Sequence, residues 1–227
     1  ARGGSLLPED FLAYLYGVMA HPAFTERFWQ ELRHRELRVP LTKDPALFAE
    51  ACELGAYLLW LHTYGERYAD AQAGRPYGQV PVGQARCVQP IPDTPDRYPQ
   101  EYRYVEGALL VGEGVIAPVA PEVWAFEVSG LKVAASWLKY RVGAGGGKKS
   151  SPLDALRPDR WTLAFTTELL ELLWVLEHTL AVYPRQAALL ERILASPLVL
   201  EAELPAPPDW LREPPGAEGD GGLFGAV

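Results

Sequence analysis

The sequence is poor in the residues that build metal sites and disulfide frameworks. Across 227 residues there are two cysteines, Cys52 and Cys87, and four histidines. The cysteines are too far apart for a CxxC-type ligand pair, and Cys52 lies in a helical pattern, so both are read as unpaired buried thiols. Long hydrophobic runs are also missing. No apolar stretch reaches the roughly 18–20 residues that a bilayer-spanning helix needs, and the opening ARGGSLLPED has no signal-peptide hydrophobic region. These absences lead to the expectation of a cytoplasmic protein with no membrane partner. Catalytic motifs are absent as well. The run Gly143–Ser150 resembles a phosphate loop, but G-x4-G-K-[ST] needs glycine where Val142 stands and Ser or Thr where Lys149 stands. No G-x-G-x-x-G follows a strand, and there is no G-x-S-x-G elbow, no H-E-x-x-H and no Asn-Pro-Pro-aromatic signature. His62 with Glu66 offers too few ligands for a metal, and His62 is read as a helix-end dipole partner or surface residue. Glu168, Glu171 and His178 lack the spacing of a carboxylate-bridged metal bundle and are read as a solvated face. The chain is therefore expected to hold no catalytic residue, metal or cofactor of its own.

What is present is a globular composition, 48% hydrophobic and 22% charged, with length enough for one large domain or two small ones. Ala1 in place of Met fits a part excised from a longer protein. Pro8–Ala20 is a predicted helix with Phe11, Leu15, Val18 and Met19 as its apolar stripe. A second helix runs from Pro22 to about Arg33, and the basic connection Arg33–Arg38 that follows is neutralised by Glu26, Glu31 and Glu36. Asp44 caps a third helix, in which Leu47, Ala51, Leu54, Leu58 and Leu61 alternate spacings of four and three. After Tyr68 the pattern changes to short β-prone runs at 79–82, 86–91, 101–105, 108–111 and 115–118, with Gly112-Glu113-Gly114 as a hairpin connection and Pro92–Pro99 as an exposed loop. Trp161–Val182 is the longest helical pattern; Pro184 ends it, Arg185–Leu194 forms a further helix, and the Pro- and Gly-rich remainder has little means of forming a core. The expected fold class is α+β, with an N-terminal helical segment, a small, mostly antiparallel sheet and a long C-terminal helix packed on it. The expected divisions are 1–70, 71–195 and a tail over 196–227.

One stretch carries most of the functional signal. Alternation predicts a strand over Val123–Val128, with Trp124, Phe126 and Val128 on one face, completing the sheet. A helix with Leu131, Ala134, Ala135 and Leu138 on its apolar side follows, capped by Ser129. Lys132, Ser136 and Lys139 form its polar stripe, and the glycine-rich loop beyond Arg141 presents Lys148, Lys149 and Ser150. From Val123 to Arg160 seven basic residues face three acidic ones, a net +4 in a chain of −8, which leaves −12 elsewhere. A locally basic edge on an acidic protein suits a polyanion. Val133, Trp137 and Tyr140 share one helical face, so Trp137 and Tyr140 are read as packing residues, although Tyr140 also belongs to the candidate interface.

Three stretches carry a resemblance: LAYLYGVMAHPAFTERFWQEL, then RVPLTKDPALFAEACELGAYLLWLH, then VWAFEVSGLKVAASWLKYR with SPLDAL beyond. Together they resemble the C-terminal target recognition (specificity) domain of bacterial Type ISP restriction–modification enzymes and related fused adenine N6-methyltransferases. The resemblance implies a module that reads a DNA site for a methyltransferase module of the same parent chain. It also implies S-adenosylmethionine, ATP and Mg as cofactors of that parent, not of this part. Its interface would use Lys132, Ser136, Lys139, Tyr140, Arg141, Lys148, Lys149 and Ser150 on double-stranded DNA, with the lysines on phosphate and Arg141 bidentate to guanine. The acidic total leaves much of the phosphate attraction to a basic neighbouring module. The rival reading is a protein–protein docking domain whose acidic helices meet a basic partner without touching DNA.

Overall fold

A computed structural model describes residues 6–34, 39–143, 159–206 and 208. Helix α1 (Pro8–Met19) opens the described chain and α4 (Pro45–His62) lies against it. Asp44 caps α4 as its sequence predicts, its carboxylate accepting from the Ala46 and Leu47 N–H groups at 2.8 and 3.2 Å. The two helices meet through small residues, because Ala13, Gly17, Ala51 and Gly55 recur every four positions on the facing sides. A Cβ on Gly55 would sit 1.7 Å from the Ala13 carbonyl oxygen, and one on Gly17 would sit 2.4 Å from that of Ala51. Tyr14, fully buried, locks the chain entering α4: its hydroxyl donates to Pro40 O at 2.6 Å and accepts from Thr42 N at 3.1 Å. Between them lie α2 (Pro22–Arg27) and α3 (Trp29–Arg33), where one helix was expected. The break falls at Phe28, whose ring turns onto Phe24 with centroids 4.8 Å apart. Positions 35–38 of the basic connection lie outside the described residues.

Strands β1 (Arg86–Gln89), β2 (Tyr102–Val105), β3 (Ala108–Val111) and β4 (Gly114–Ala117) form an antiparallel sheet in the order β1-β4-β3-β2. The α+β architecture expected from the sequence is therefore present. Alternation in β3 and β4 sends Leu109, Val111 and Ile116 inward. The run 79–82 forms no strand. Helix α7 (Leu163–Leu194) covers this buried face with Leu169, Leu172, Leu173 and Leu176. Pro184 does not end α7, contrary to the sequence reading. A proline inside a helix removes a backbone hydrogen bond, yet beyond it Leu189, Leu190 and Ile193 are buried with Tyr14, Val18 and Leu54, and that packing carries the helix through. Gln186 adds a polar tie, its amide donating to the Gly17 carbonyl at 3.1 Å. The start of the tail is also held: Lys43 N donates to Pro197 O and Val199 N to Leu41 O, each at 2.8 Å. Cys52 and Cys87 are free, as expected, but only part-buried.

The stretch after the sheet corrects the sequence reading most. Val123 belongs to a short helix, α5 (Pro121–Ala125), and not to a fifth strand. Pro121 at the first helical position and Glu122 beside it are helix-start signals that outweigh the alternation. Trp124 stacks on Tyr104 at 5.3 Å and 9°, so it covers the sheet without joining it. Strands β5 (Glu127–Val128) and β6 (Leu131–Lys132) form a separate two-stranded ribbon. Ser129 is not a helix cap: it and Gly130 lie at φ +50° and +80°, the turn that a two-residue hairpin needs. Leu131 consequently leaves the helix and is exposed.

His62 is neither surface nor a dipole partner. Its Nδ1 lies 2.7 Å from the Tyr16 hydroxyl and its Nε2 lies 2.8 Å from Thr179 Oγ1. Thr179 spends its proton on Val175 O at 2.7 Å, so it accepts from Nε2–H, and Nδ1 accepts from Tyr16. This chain of donors fixes a neutral imidazole between α1, α4 and α7, and burial holds its pKa below the ordinary value.

Two measurements follow from this packing. Gly55→Ala, which on an open helix would gain about 1 kcal/mol, will instead lose about 1–3 kcal/mol in urea unfolding because the added methyl overlaps the Ala13 carbonyl. Burial lowers the pKa of both His21 and His62 from 6.5. Just below that value the unfolded chain therefore binds more protons than the folded one. Stability will be full above about pH 6.5 and will fall as the pH drops through it. Unfolding midpoints from pH 5 to 7.5 check this, and His62→Gln will flatten part of the slope.

Candidate nucleic-acid interface

Helix α6 (Val133–Lys139) follows the β5–β6 ribbon directly. Its seven residues hold because Ala134 and Leu138 are buried in the cluster that contains the sheet and the first half of α7. Trp137 joins them, packing edge-on against Trp161 at 6.2 Å and Phe165 at 6.4 Å. Trp161 is itself fully buried, with its indole N–H donating to Thr166 Oγ1 at 2.9 Å. The expectation that Trp137 is a packing residue holds. Tyr140 differs: it stands one residue past the helix and is 67% exposed, because the backbone turns there and its ring leaves the Val133–Trp137 face.

The structure brings together five of the eight residues that the sequence singled out. Lys132 and Lys139 are exposed at the two ends of α6, and neither has an ion-pair partner among the described residues. Lys132 faces Glu127 across the ribbon, which dilutes its charge. Ser136 is half-buried on the same helix. Arg141 is engaged internally. Its guanidinium carbon lies 3.9 Å from the centre of the Trp137 ring, and Nη2 lies 3.4 Å from Glu168 Oε2. A bidentate contact from Arg141 to a base would have to displace Glu168 and draw the guanidinium off the indole. Glu168, read from sequence as part of a solvated face, is thus tied to the end of α6. Lys148, Lys149 and Ser150 lie outside the described residues.

The approach to that loop is firmly held on both sides. Tyr98 donates its hydroxyl to Arg141 O at 2.6 Å, and Gly143 N donates to Pro99 O at 2.9 Å. On the return side Trp161 meets Tyr98 edge-on, with centroids 6.4 Å apart. Pro92–Pro99, an exposed loop by its sequence pattern, also serves as an anchor here, and the aromatic Tyr98 beside a proline is the signal for it. Among the described residues no group of three or more His, Cys, Asp or Glu could hold a metal ion, and no helix is long and apolar enough to cross a membrane. The chemistry on display is that of an edge with two free ammonium groups and one exposed phenol, suited to binding a polyanion.

The family model for the Type ISP C-terminal specificity domain matches residues 1–172. No curated protein matches the chain. Solved structures similar to it in fold include the following two. One is a nuclease-deletion mutant of the Type ISP restriction-modification enzyme LlaGI in complex with a DNA substrate mimic, with a TM-score of 0.51, 18% identity, and coverage of 82% of this chain and 14% of that one. The other is the ATP-dependent Type ISP restriction-modification enzyme LlaBIII bound to DNA, with a TM-score of 0.53, 15% identity, and coverage of 86% of this chain and 12% of that one. The chain thus spans about one eighth of the length of these neighbours.

The stacking of Arg141 generates a prediction. Arg141→Ala removes a cation–π contact and the packing of the arginine stem, and will cost about 1–2 kcal/mol in urea unfolding. Arg141→Met, which keeps the stem, will recover part of the loss.

Proposed function

The chain belongs to the family of Type ISP C-terminal specificity domains, and on that premise we propose that it is the DNA-sequence-reading module of a bacterial restriction–modification enzyme. It directs the adenine-methylating and helicase-nuclease parts of a longer parent chain to their site. S-adenosylmethionine, ATP and Mg serve those parts, and the parent works in the cytoplasm. The family match carries this reading, because its span includes the whole basic stretch Val123–Arg160. In this reading the division of the chain is functional: the helices before residue 70 couple to the methyltransferase module, 71–195 meet double-stranded DNA, and the tail follows.

Within the interface the lysines and Arg141 take different parts. Lys132, Lys139, Lys148 and Lys149 set register by touching phosphate, while Ser136, Tyr140 and Ser150 add hydrogen bonds along the groove. Arg141 reads guanine only by exchanging Glu168 for the base, so it contributes discrimination and little non-specific affinity. The module itself neither methylates nor cuts.

Salt titrations of the parent enzyme on specific and random duplexes test the assignment. Replacing Lys148 and Lys149 together by glutamine will weaken binding to every sequence and lower the salt slope by about two, since each lost phosphate contact removes about 0.9. Lys132 and Lys139 replaced together will do the same. Arg141→Gln will cost about 1–3 kcal/mol on the specific site and far less on random DNA. Unchanged affinity and site preference in all three variants would transfer the function to the docking-domain reading.

A further inference from the structure

The β5–β6 ribbon does more than lead into α6. Its residues Glu127–Gly130 form one wall of a cavity of about 690 Å³, whose other walls come from α1, α2, the end of α4 and the middle of α7. That volume is in the range of sites for small organic ligands, roughly 300–1,000 Å³. None of the five described interface residues lines the cavity, although Lys132 faces its Glu127 across the ribbon.

Its lining has a definite chemical character. Aromatic rings supply much of the wall: Tyr16, Tyr64, Phe126 and Tyr183, the last two packed together at 6.0 Å and 29°. No lysine or arginine lines it, whereas two carboxylates do, Glu26 on α2 and Glu127 on the ribbon. His21 lies in the wall, 95% buried. Burial lowers its pKa, which keeps the imidazole neutral, and its Nε2 is sealed off from the cavity, so the ring adds no charge and no hydrogen bond to the lining. Tyr16 supplies the acceptor, because its hydroxyl proton is spent on His62 Nδ1 and its oxygen keeps a lone pair.

Acceptors, carboxylates and ring faces without a basic side chain describe the complement of a cation. We infer that this cavity binds an organic cation in which a planar or alkyl body carries N–H donors, an amine or a guanidinium. The rings hold the charge, the Tyr16 phenol oxygen takes an N–H group, and Glu26 and Glu127 balance it. An anionic ligand is disfavoured by the same two carboxylates. This inference does not rest on the DNA-reading assignment and survives its failure.

The test uses benzylguanidinium and its uncharged near-isostere benzylurea, titrated calorimetrically into the chain. Benzylguanidinium will bind at least tenfold more tightly than benzylurea. Replacing Glu26 and Glu127 together by glutamine will weaken the cation at least fivefold and leave the urea unchanged; both residues are exposed, so the fold is not at stake. Thr25→Trp, from an exposed position on the rim, will fill the cavity and abolish both. Adenosine serves as an uncharged planar comparison. Equal affinity for the charged and uncharged probes, tighter binding of adenosine, or a cation affinity untouched by the paired glutamines would overturn the proposal. The same titration on the parent enzyme separates two sources of the cation. A free small molecule leaves the site open there, whereas a lysine or arginine side chain from another module occupies it and excludes the probe.

Discussion

The long helix α7 is the part on which the remainder depends. Thirty-two residues at 1.5 Å each make a rod about 48 Å long, and its two halves face different cores. Its first half closes the sheet, and its second half fills the groove between α1 and α4. A helix that stopped at Pro184 would leave two small units, each with a thin core. Continuity through the proline makes them share one element, with His62, Thr179 and Tyr16 as a polar seam where the two environments meet.

Local signals gave the sequence reading its successes. Asp44-Pro45, the spacing of Leu47 to Leu61 and the hairpin at Gly112 are each decided within a few residues, and each is found as expected. Pro184 misleads because the deciding contacts are remote, and Val123 because the helix-start pair Pro121-Glu122 competes with the alternation that follows it. Leu189, Leu190 and Ile193 hold the helix against helices more than a hundred residues earlier. Trp124 alternates with Phe126 and Val128 as strand residues do, but its partner is the ring of Tyr104. Periodicity records which residues seek burial and is silent about what they will be buried against.

The candidate sites differ in the same way. Lys132, Lys139 and Arg141 are close in sequence, so their charge was visible as a local excess. The cavity beside the ribbon draws on short groups near positions 16–26, 62–64, 126–133 and 172–183, which lie too far apart in the sequence to announce one another. Its histidines and tyrosines look like ordinary core residues until the fold gathers them. Arg141 lies between the two cases: its charge was legible, but its commitment to Trp137 and Glu168 was not.

The paired anchors around positions 143 and 161 bear on how such a module can change over generations. Tyr98, Pro99, Trp137 and Trp161 hold the two ends, and none of them belongs to the connection itself. The anchors also touch one another, Tyr98 on Trp161 and Trp161 on Trp137, so a change in any one of them is felt at both ends. A lineage that varies this edge therefore has to keep the aromatic frame as a set, because its members support positions 143 and 161 together.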